Sequence, residues 1–346
     1  MVQTFLATLN PMLMLFLCIA VGFILKKTNI LPENAGKVMA KLETWVFCPA
    51  LSFSTMARFF TVDTISIHAG NIGVSIFSVA LAMAIAIPLS KLFVKQASYE
   101  RGVYQYALAF GNSGYIGDPL VLALFGEEVL SFYKLACLPI SLVIYTWGIS
   151  VLVPKDGQTK GGAWKKLLNA PTVAMLIGIA TGLICGAIVG NVPAGTTAYD
   201  TLFPTFIVST MDSLKACMGP VAMLLAGFTI ASYDFKSMLK KKKVYVATAL
   251  RLIFIPAVIL GTLFGLKELA NVIFNLAIDN TPIILLFFAI AAPLGLNTVV
   301  FPEAYGGNPE TGASMAMISH TLCVISIPLM YALLIAIFGG NTWIPV

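Results

Sequence analysis

Charge is scarce in this sequence. Of its 346 residues only 10% are Asp, Glu, Lys or Arg, and there are just two histidines. Soluble domains carry about 25% charge, and 21 basic and 15 acidic side chains cannot clothe a chain that is 59% hydrophobic. The 23 phenylalanines exclude a solvated, disordered chain. Cys18, Cys48, Cys137, Cys185, Cys217 and Cys323 all lie in apolar runs and form no CxxC pair. Neither a disulfide framework nor a metal site follows, and no cofactor is expected. HExxH, Gly-x-Ser-x-Gly and the P-loop are missing, so enzymatic activity is not expected. The first charged residue, Lys26, comes after the first apolar run, which argues against a cleaved signal peptide. A net charge of +6 would suit nucleic acid if it formed a patch, but the charges sit in short clusters between apolar runs. The expected solvent is lipid.

What the chain has is length of apolar sequence. About 20 residues span a bilayer core, and ten runs qualify: 5–25, 36–57, 71–94, 101–125, 128–153, 171–190, 205–232, 244–266, 283–305 and 312–338. The expected fold is an all-α polytopic membrane protein. The second run carries Lys37, Lys41 and Glu43. Pro49, Pro119, Pro220 and Pro293 fall inside the second, fourth, seventh and ninth runs, where each removes a helical hydrogen bond and is expected to interrupt the helix. Sixteen of the 21 basic residues lie in or beside the connections after odd-numbered spans. The even-numbered connections hold Arg58 and Lys267 against Asp63, Glu127, Glu128, Asp200, Glu268 and Asp279. By the positive-inside rule the odd connections are cytoplasmic and both termini lie outside the plasma membrane.

The run pattern repeats. A shift of 180 aligns Ala109-Phe110 and Phe125-Gly126 with Ala289-Ile290 and Tyr305-Gly306, and a shift of 186 aligns Cys137-Leu138 and Tyr145 with Cys323-Val324 and Tyr331. The second shift also sets Lys134 opposite His320, and Pro49 and Pro220 take similar places in the second and seventh runs. Two units of five spans, 1–153 and 171–346, joined by a cytoplasmic linker over 154–170, must lie in opposite orientations because five is odd. Inverted repeats with paired broken helices mark secondary transporters, whose site lies at the midplane.

The fourth run reads Gly111-Asn112-Ser113-Gly114-Tyr115-Ile116-Gly117-Asp118-Pro119, and the ninth reads Ala292-Pro293-Leu294-Gly295-Leu296-Asn297-Thr298. An uninterrupted membrane helix does not favour these compositions. A break frees backbone N–H groups at the start of a half-helix, where the dipole favours an anion. Asn112, Ser113, Gly114, Asp118, Asn297 and Thr298 are the candidate binding residues. The competing reading gives the glycines to close packing and the asparagines to capping.

These motifs resemble the auxin efflux carrier family, which includes plant PIN-FORMED exporters and bacterial organic-acid permeases. The resemblance runs over nearly the whole chain and rests on four stretches: Phe47-Cys48-Pro49-Ala50-Leu51, the Asn-x-Gly-x-x-Gly-x-Pro pattern at 112–119, residues 297–306 beginning Asn297-Thr298, and Ile325-Ser326-Ile327-Pro328. It implies ten helices in a 5+5 inverted repeat, similar to bile-acid symporters and sodium–proton antiporters, with helices four and nine crossing at their breaks. It further implies a carboxylate held at the crossing by Asn112, Asn297 and nearby backbone. By the same resemblance, spans 3–5 and 8–10 move against a scaffold of spans 1, 2, 6 and 7, monomeric or homodimeric. Asp118 departs from the apolar residue expected there. The short linker departs from the long-looped plant exporters and argues against auxin as substrate.

Four other charged residues are candidates for coupling or charge balance. Lys134 either offsets a substrate carboxylate, pairs with Asp118 when the site is empty, or snorkels outward. His320 either titrates to couple transport to protons or is a neutral packed side chain. Asp212 and Lys215, at i, i+3, read as a mutually neutralising pair or as part of an ion path, and Glu43 with Lys41 reads similarly. Tyr145 and Tyr331 are expected in interfacial aromatic belts, the lysine run 240–243 as a topology anchor touching anionic lipid, and Met315 and Met317 as core packing. The coupling ion, H+ or Na+, is not legible. The expected function is a secondary transporter of small organic anions, mono- or dicarboxylates such as malate. The alternatives are an intramembrane aspartyl protease using Asp118 and Asp212, or a channel or sensor on a carrier fold.

Overall fold

The computed structural model describes residues 2–152, 170–189, 192–193, 195–232, 240–275, 277–299, 302 and 310–339. Most of the 154–170 linker, and positions 300, 301 and 303–306 of the ninth-run motif, lie outside them. The described residues are helical, with no strand among them. In order they form α1 (Val2–Lys27), α2 (Ala35–Leu42), α3 (Cys48–Phe59), α4 (Ile65–Leu89), α5 (Tyr99–Ala109), α6 (Asp118–Ala136), α7 (Leu138–Val143) and α8 (Ile149–Leu152). After the linker come α9 (Ala170–Ile188), α10 (Ala198–Leu202), α11 (Thr205–Ala216), α12 (Met218–Ala231), α13 (Lys242–Ala249), α14 (Ile255–Phe274), α15 (Thr281–Ile290) and α16 (Glu310–Phe338).

Six helical stretches are long and apolar enough to cross a membrane by length and composition. A seventh qualifies if the bent pair Ser113–Ala136 and Leu138–Leu152 is one span. The second run falls short because Lys37, Lys41 and Glu43 dilute it, and in the fourth and ninth runs helices end at Ala109 and at Ile290. Large apolar side chains point away from the protein: Leu17, Trp45, Phe206, Val272 and Ile325 are each more than 60% exposed. A water-soluble chain would bury such side chains. This is an integral membrane protein.

The prolines behave differently from expectation. Pro49 and Pro119 do not interrupt their helices; each follows a π turn, Glu43–Phe47 and Ser113–Gly117. Pro256 repeats the device after Leu250–Phe254. In each case the residue just before the proline donates its N–H five residues back, from Cys48 to Glu43 O, Asp118 to Ser113 O and Ile255 to Leu250 O. The widened turn makes room for the ring and spares the carbonyl it would strike. Pro220 sits in the first turn of α12, joined to α11 through a tightened turn at Cys217, and the stretch Thr205–Ala231 stays one span. Among the four expected breakers, only Pro293 lies in non-helical chain.

Gly126 is the one place in α6 where the backbone leaves the helix, at φ 83° and ψ −175°, a conformation that favours glycine. Residues 118 and 134 would lie about 24 Å apart on a straight helix, yet Lys134 Nζ is 2.6 Å from Asp118 Oδ2. Tyr133 likewise donates its hydroxyl to Ser113 O at 3.1 Å. The chain therefore folds back at Gly126, and α6 is a helical hairpin whose limbs face each other.

The main helix–helix packings pair α1 with α12 and α3 with α9. On α1 and α12, Gly22 and Gly227 bring the two backbones into contact, and a Cβ on either would collide with the facing chain. Tyr331 is buried against Phe125, Phe287 and Phe288 rather than in an interfacial belt, because α16 turns that face inward. The Tyr145 side chain lies outside the described residues. Met315 and Met317 are core residues. In the lysine run, Lys241 pairs with Glu310, and Lys243 donates to Phe93 O. Glu43 is fully buried with neither carboxylate oxygen hydrogen-bonded, and Lys41 is exposed; no ion pair joins them.

Candidate functional site

Helix α5 stops at Ala109, after which Phe110 is extended (φ −119°, ψ 130°). Helix α15 stops at Ile290, with Pro293 and Leu294 in open chain. The two open segments lie side by side. Gly111 and Leu294 form an isolated antiparallel bridge, and Asn112 N donates to Pro293 O at 2.7 Å. Gly111 is required there: a Cβ would meet the Arg251 guanidinium and the carbonyls of Ala289 and Ala292.

Each interruption creates a helix end that needs partners. On the N-terminal side, Asn112 Oδ1 accepts from Tyr115 N at 3.3 Å, as a cap. Thr298 Oγ1 donates to Gly295 O at 2.9 Å. On the C-terminal side, Arg251 reaches in from the π turn between α13 and α14. Its guanidinium donates to Leu108 O (3.4 Å), in the last turn of α5, and to Ala292 O (3.2 Å), just past the end of α15. A cation suits the negative ends of two helix dipoles. Arg251 was not among the expected site residues. Its signal was an arginine alone in an apolar run, a costly placement that calls for a partner; here the partners are backbone carbonyls.

His320 stands behind Asn112. Its Nδ1 lies 2.7 Å from Ala316 O, a carbonyl that only accepts, so Nδ1 carries the proton and Nε2 is left to accept from Asn112 Nδ2 at 3.3 Å. Both ring nitrogens are thus used, Nδ1 on its own helix and Nε2 on the capping amide. Leu294 N is held by Ser319 Oγ at 3.2 Å, and Asn297 Nδ2 donates to Tyr106 OH at 3.0 Å.

In front of the crossing lies a cavity of about 170 Å³, lined by Asn112, Ser113, Gly114, Asp118, Lys134 and Asn297 among others. It has room for on the order of ten waters, or for a small organic acid. Cys48 and Ser52 of α3 and Thr172 and Met175 of α9 form the facing wall. Asp118 and Lys134 are both more than nine-tenths buried, and Lys134 also donates to Ser52 Oγ at 3.3 Å. The hairpin at Gly126 thus joins two charges 16 residues apart inside the cavity, so Lys134 does not snorkel. Of the six expected binding residues, five line this space. Thr298 is fully buried and donates its hydroxyl to Gly295 O.

Asp212 and Lys215 lie elsewhere. They pair with each other at 2.7 Å and join Arg58, Glu127 and Asp200 in one ionic network. Arg58 holds Asp200 at 2.9 Å, Asp212 at 2.8 Å and Glu127 at 3.0 Å. The network ties α3, the bend at Gly126, α10 and α11. Asp118 and Asp212 therefore serve different cations and do not form the proton-sharing dyad an aspartyl protease needs.

The sequence profile of a family described as membrane transport protein matches residues 7–161 and 159–331. An uncharacterized transporter of Methanocaldococcus jannaschii is 23% identical over 340 residues, covering 93% of this chain and 97% of that one.

Proposed function

Because the chain belongs to the membrane transport protein family, we propose that it is a secondary transporter of small organic anions, mono- or dicarboxylates such as malate. It works by alternating access at the cavity in front of the Gly111–Leu294 crossing. The observation that carries this reading is the joining of two interrupted helices beside a buried ammonium and two side-chain amides. Asn112 and Asn297 each keep an N–H for the anion, since an amide nitrogen carries two and each spends one on His320 or Tyr106.

On this reading the fold is a ten-helix inverted repeat. The α2–α3 rod, the two limbs of the Gly126 hairpin with their flanking helices, and α15 with the chain after it stand beside the six long spans. Residues 1–153 and 171–346 are the two units, spans 3–5 and 8–10 carry the substrate, and spans 1, 2, 6 and 7 form the scaffold. The protein sits in the plasma membrane with both termini outside, as its lysine distribution favours. It requires no cofactor, and its partners are the anion, lipid and, for the scaffold, a second copy.

Uptake of labelled malate, malonate and lactate into proteoliposomes tests the reading. Asn112→Ala and Asn297→Ala each remove one hydrogen-bonding group and are expected to weaken transport by about tenfold. Variants that transport like wild type would discard the crossing as the site. A carrier shows counterflow, external substrate speeding the exit of internal substrate; a channel does not.

A further inference from the structure

We propose that Asp118 carries a transported proton and that the substrate is a small monocarboxylate, which replaces Asp118 on the Lys134 ammonium. The inference deepens the transporter reading above and rests on it. Its starting point is the charge of the cavity. Among the described residues, the charged side chains lining it are Asp118 and Lys134, 2.6 Å apart and buried, so the empty site is neutral. A carboxylate reaching Lys134 would leave two anions around one ammonium, where both charged side chains are more than nine-tenths buried. An uncompensated buried charge is costly, and the site relieves it by changing protonation state. A proton on Asp118 restores neutrality and frees Lys134 for the incoming carboxylate.

Other groups are committed or remote. Arg251 is behind Gly111, donating to two helix-end carbonyls. His320 has both ring nitrogens in hydrogen bonds to Ala316 and Asn112. Arg58, Glu127, Asp200, Asp212 and Lys215 satisfy one another in their own network. The titratable groups around Asp118 are Lys134, Tyr133 and Cys137 from the returning limb and Cys48 from α3, with Glu43 further along that rod. The crossing presents the amides of Asn112 and Asn297, and α9 presents Thr172 and Met175. Asp118 is the carboxylate that shares the cavity with the ammonium, so it takes the proton.

The same inventory selects the substrate. One carboxylate finds Lys134; a second would find no other cation lining the cavity among the described residues. The amides suit a neutral hydroxyl or carbonyl. In the loaded site the proton resides on an Asp118 oxygen and the anion on Lys134, and the two leave together on the opposite side. One proton accompanies each monoanion, and the step is electroneutral.

The full chain in proteoliposomes with a trapped pH-sensitive dye tests this, with lactate and malate as probes and protein-free liposomes as the background. In the wild type, lactate is expected to carry a proton inward. Its affinity should fall by about tenfold per pH unit once Asp118 ionises. Asp118→Asn should bind lactate without that pH dependence and fail to accumulate it in a pH gradient, Asp118→Glu should keep the dependence, and Lys134→Gln should lose lactate binding. Lactate counterflow in the wild type with no proton movement, a pH dependence that survives Asp118→Asn, or faster transport of dianionic malate than of lactate would each overturn the proposal. If Asp118→Asn does not fold, the proton-to-lactate ratio of the wild type decides. If neither probe moves in the wild type, the organic-anion reading falls and this inference with it; lactate moving without a proton removes only the inference.

Discussion

Arg251 shows how a single side chain can hold an interruption in place. The carbonyls of Leu108 and Ala292 lie at helix ends buried from water, and each costs about 1–3 kcal/mol if left without a donor. Arg251→Leu removes the donors to both. It is expected to lower the midpoint of thermal unfolding in detergent clearly below wild type, with Arg251→Gln, which still donates, lying between. Equal midpoints for all three would mean that the two carbonyls do not depend on Arg251. A lone arginine in an apolar run was legible in the sequence, but its partners were not, because they are backbone groups that come together only once two distant helices have ended side by side. Asp118 and Lys134 were legible as suspects, since charge at that depth is costly. The runs 101–125 and 128–153 already set a reversal between them; what was missing was the residue that makes it, and Gly126, an ordinary glycine in the sequence, supplies the turn through a positive φ.

At the scale of elements, the sequence conveyed where helices weaken better than how. Helices end just before Gly111 with Asn112, at Ala109, and just before Pro293 with Gly295, at Ile290. Pro49, Pro119 and Pro220 looked equivalent to Pro293 but were absorbed, two by π turns and one by a tightened turn, since neighbouring helices fix the local geometry that a proline alone leaves open. The i, i+3 spacing of Asp212 and Lys215 was readable, whereas Arg58, from a helix 154 residues away, was not. That arginine bridges three carboxylates with a planar fork. Lysine cannot copy this geometry. Arg58→Ala is expected to destabilise the protein by about 1–3 kcal/mol, less than a fully buried pair because the carboxylates are partly exposed. Arg58→Lys should recover only part of the loss, as read by thermal unfolding. Full recovery by lysine would show that charge alone matters at this corner.

For the whole molecule, composition sufficed to name the solvent, because no arrangement of this chain could hide so much hydrocarbon from water. The number of crossings was less secure, since helical length and apolarity are the measurable quantities and interrupted rods fall short on both. Sidedness is the prediction that belongs here. A tag placed before α1 or after α16 is expected to be labelled by an impermeant reagent on intact cells, and a cysteine introduced in the linker over 154–170 only after permeabilisation. The reverse pattern would turn the molecule over and, with it, the direction in which the lysine clusters point.

The rung between Gly111 and Leu294 has a consequence for motion. Two rods that merely touched could swing apart like scissor blades and open a passage between them. Rods stitched backbone to backbone, with an arginine fastened across the seam, resist that shear. On the proposed transporter reading, a displacement that presents the cavity to the opposite face of the bilayer is expected to carry the stitched pair as a single carriage, sliding past the wall built by α3 and α9.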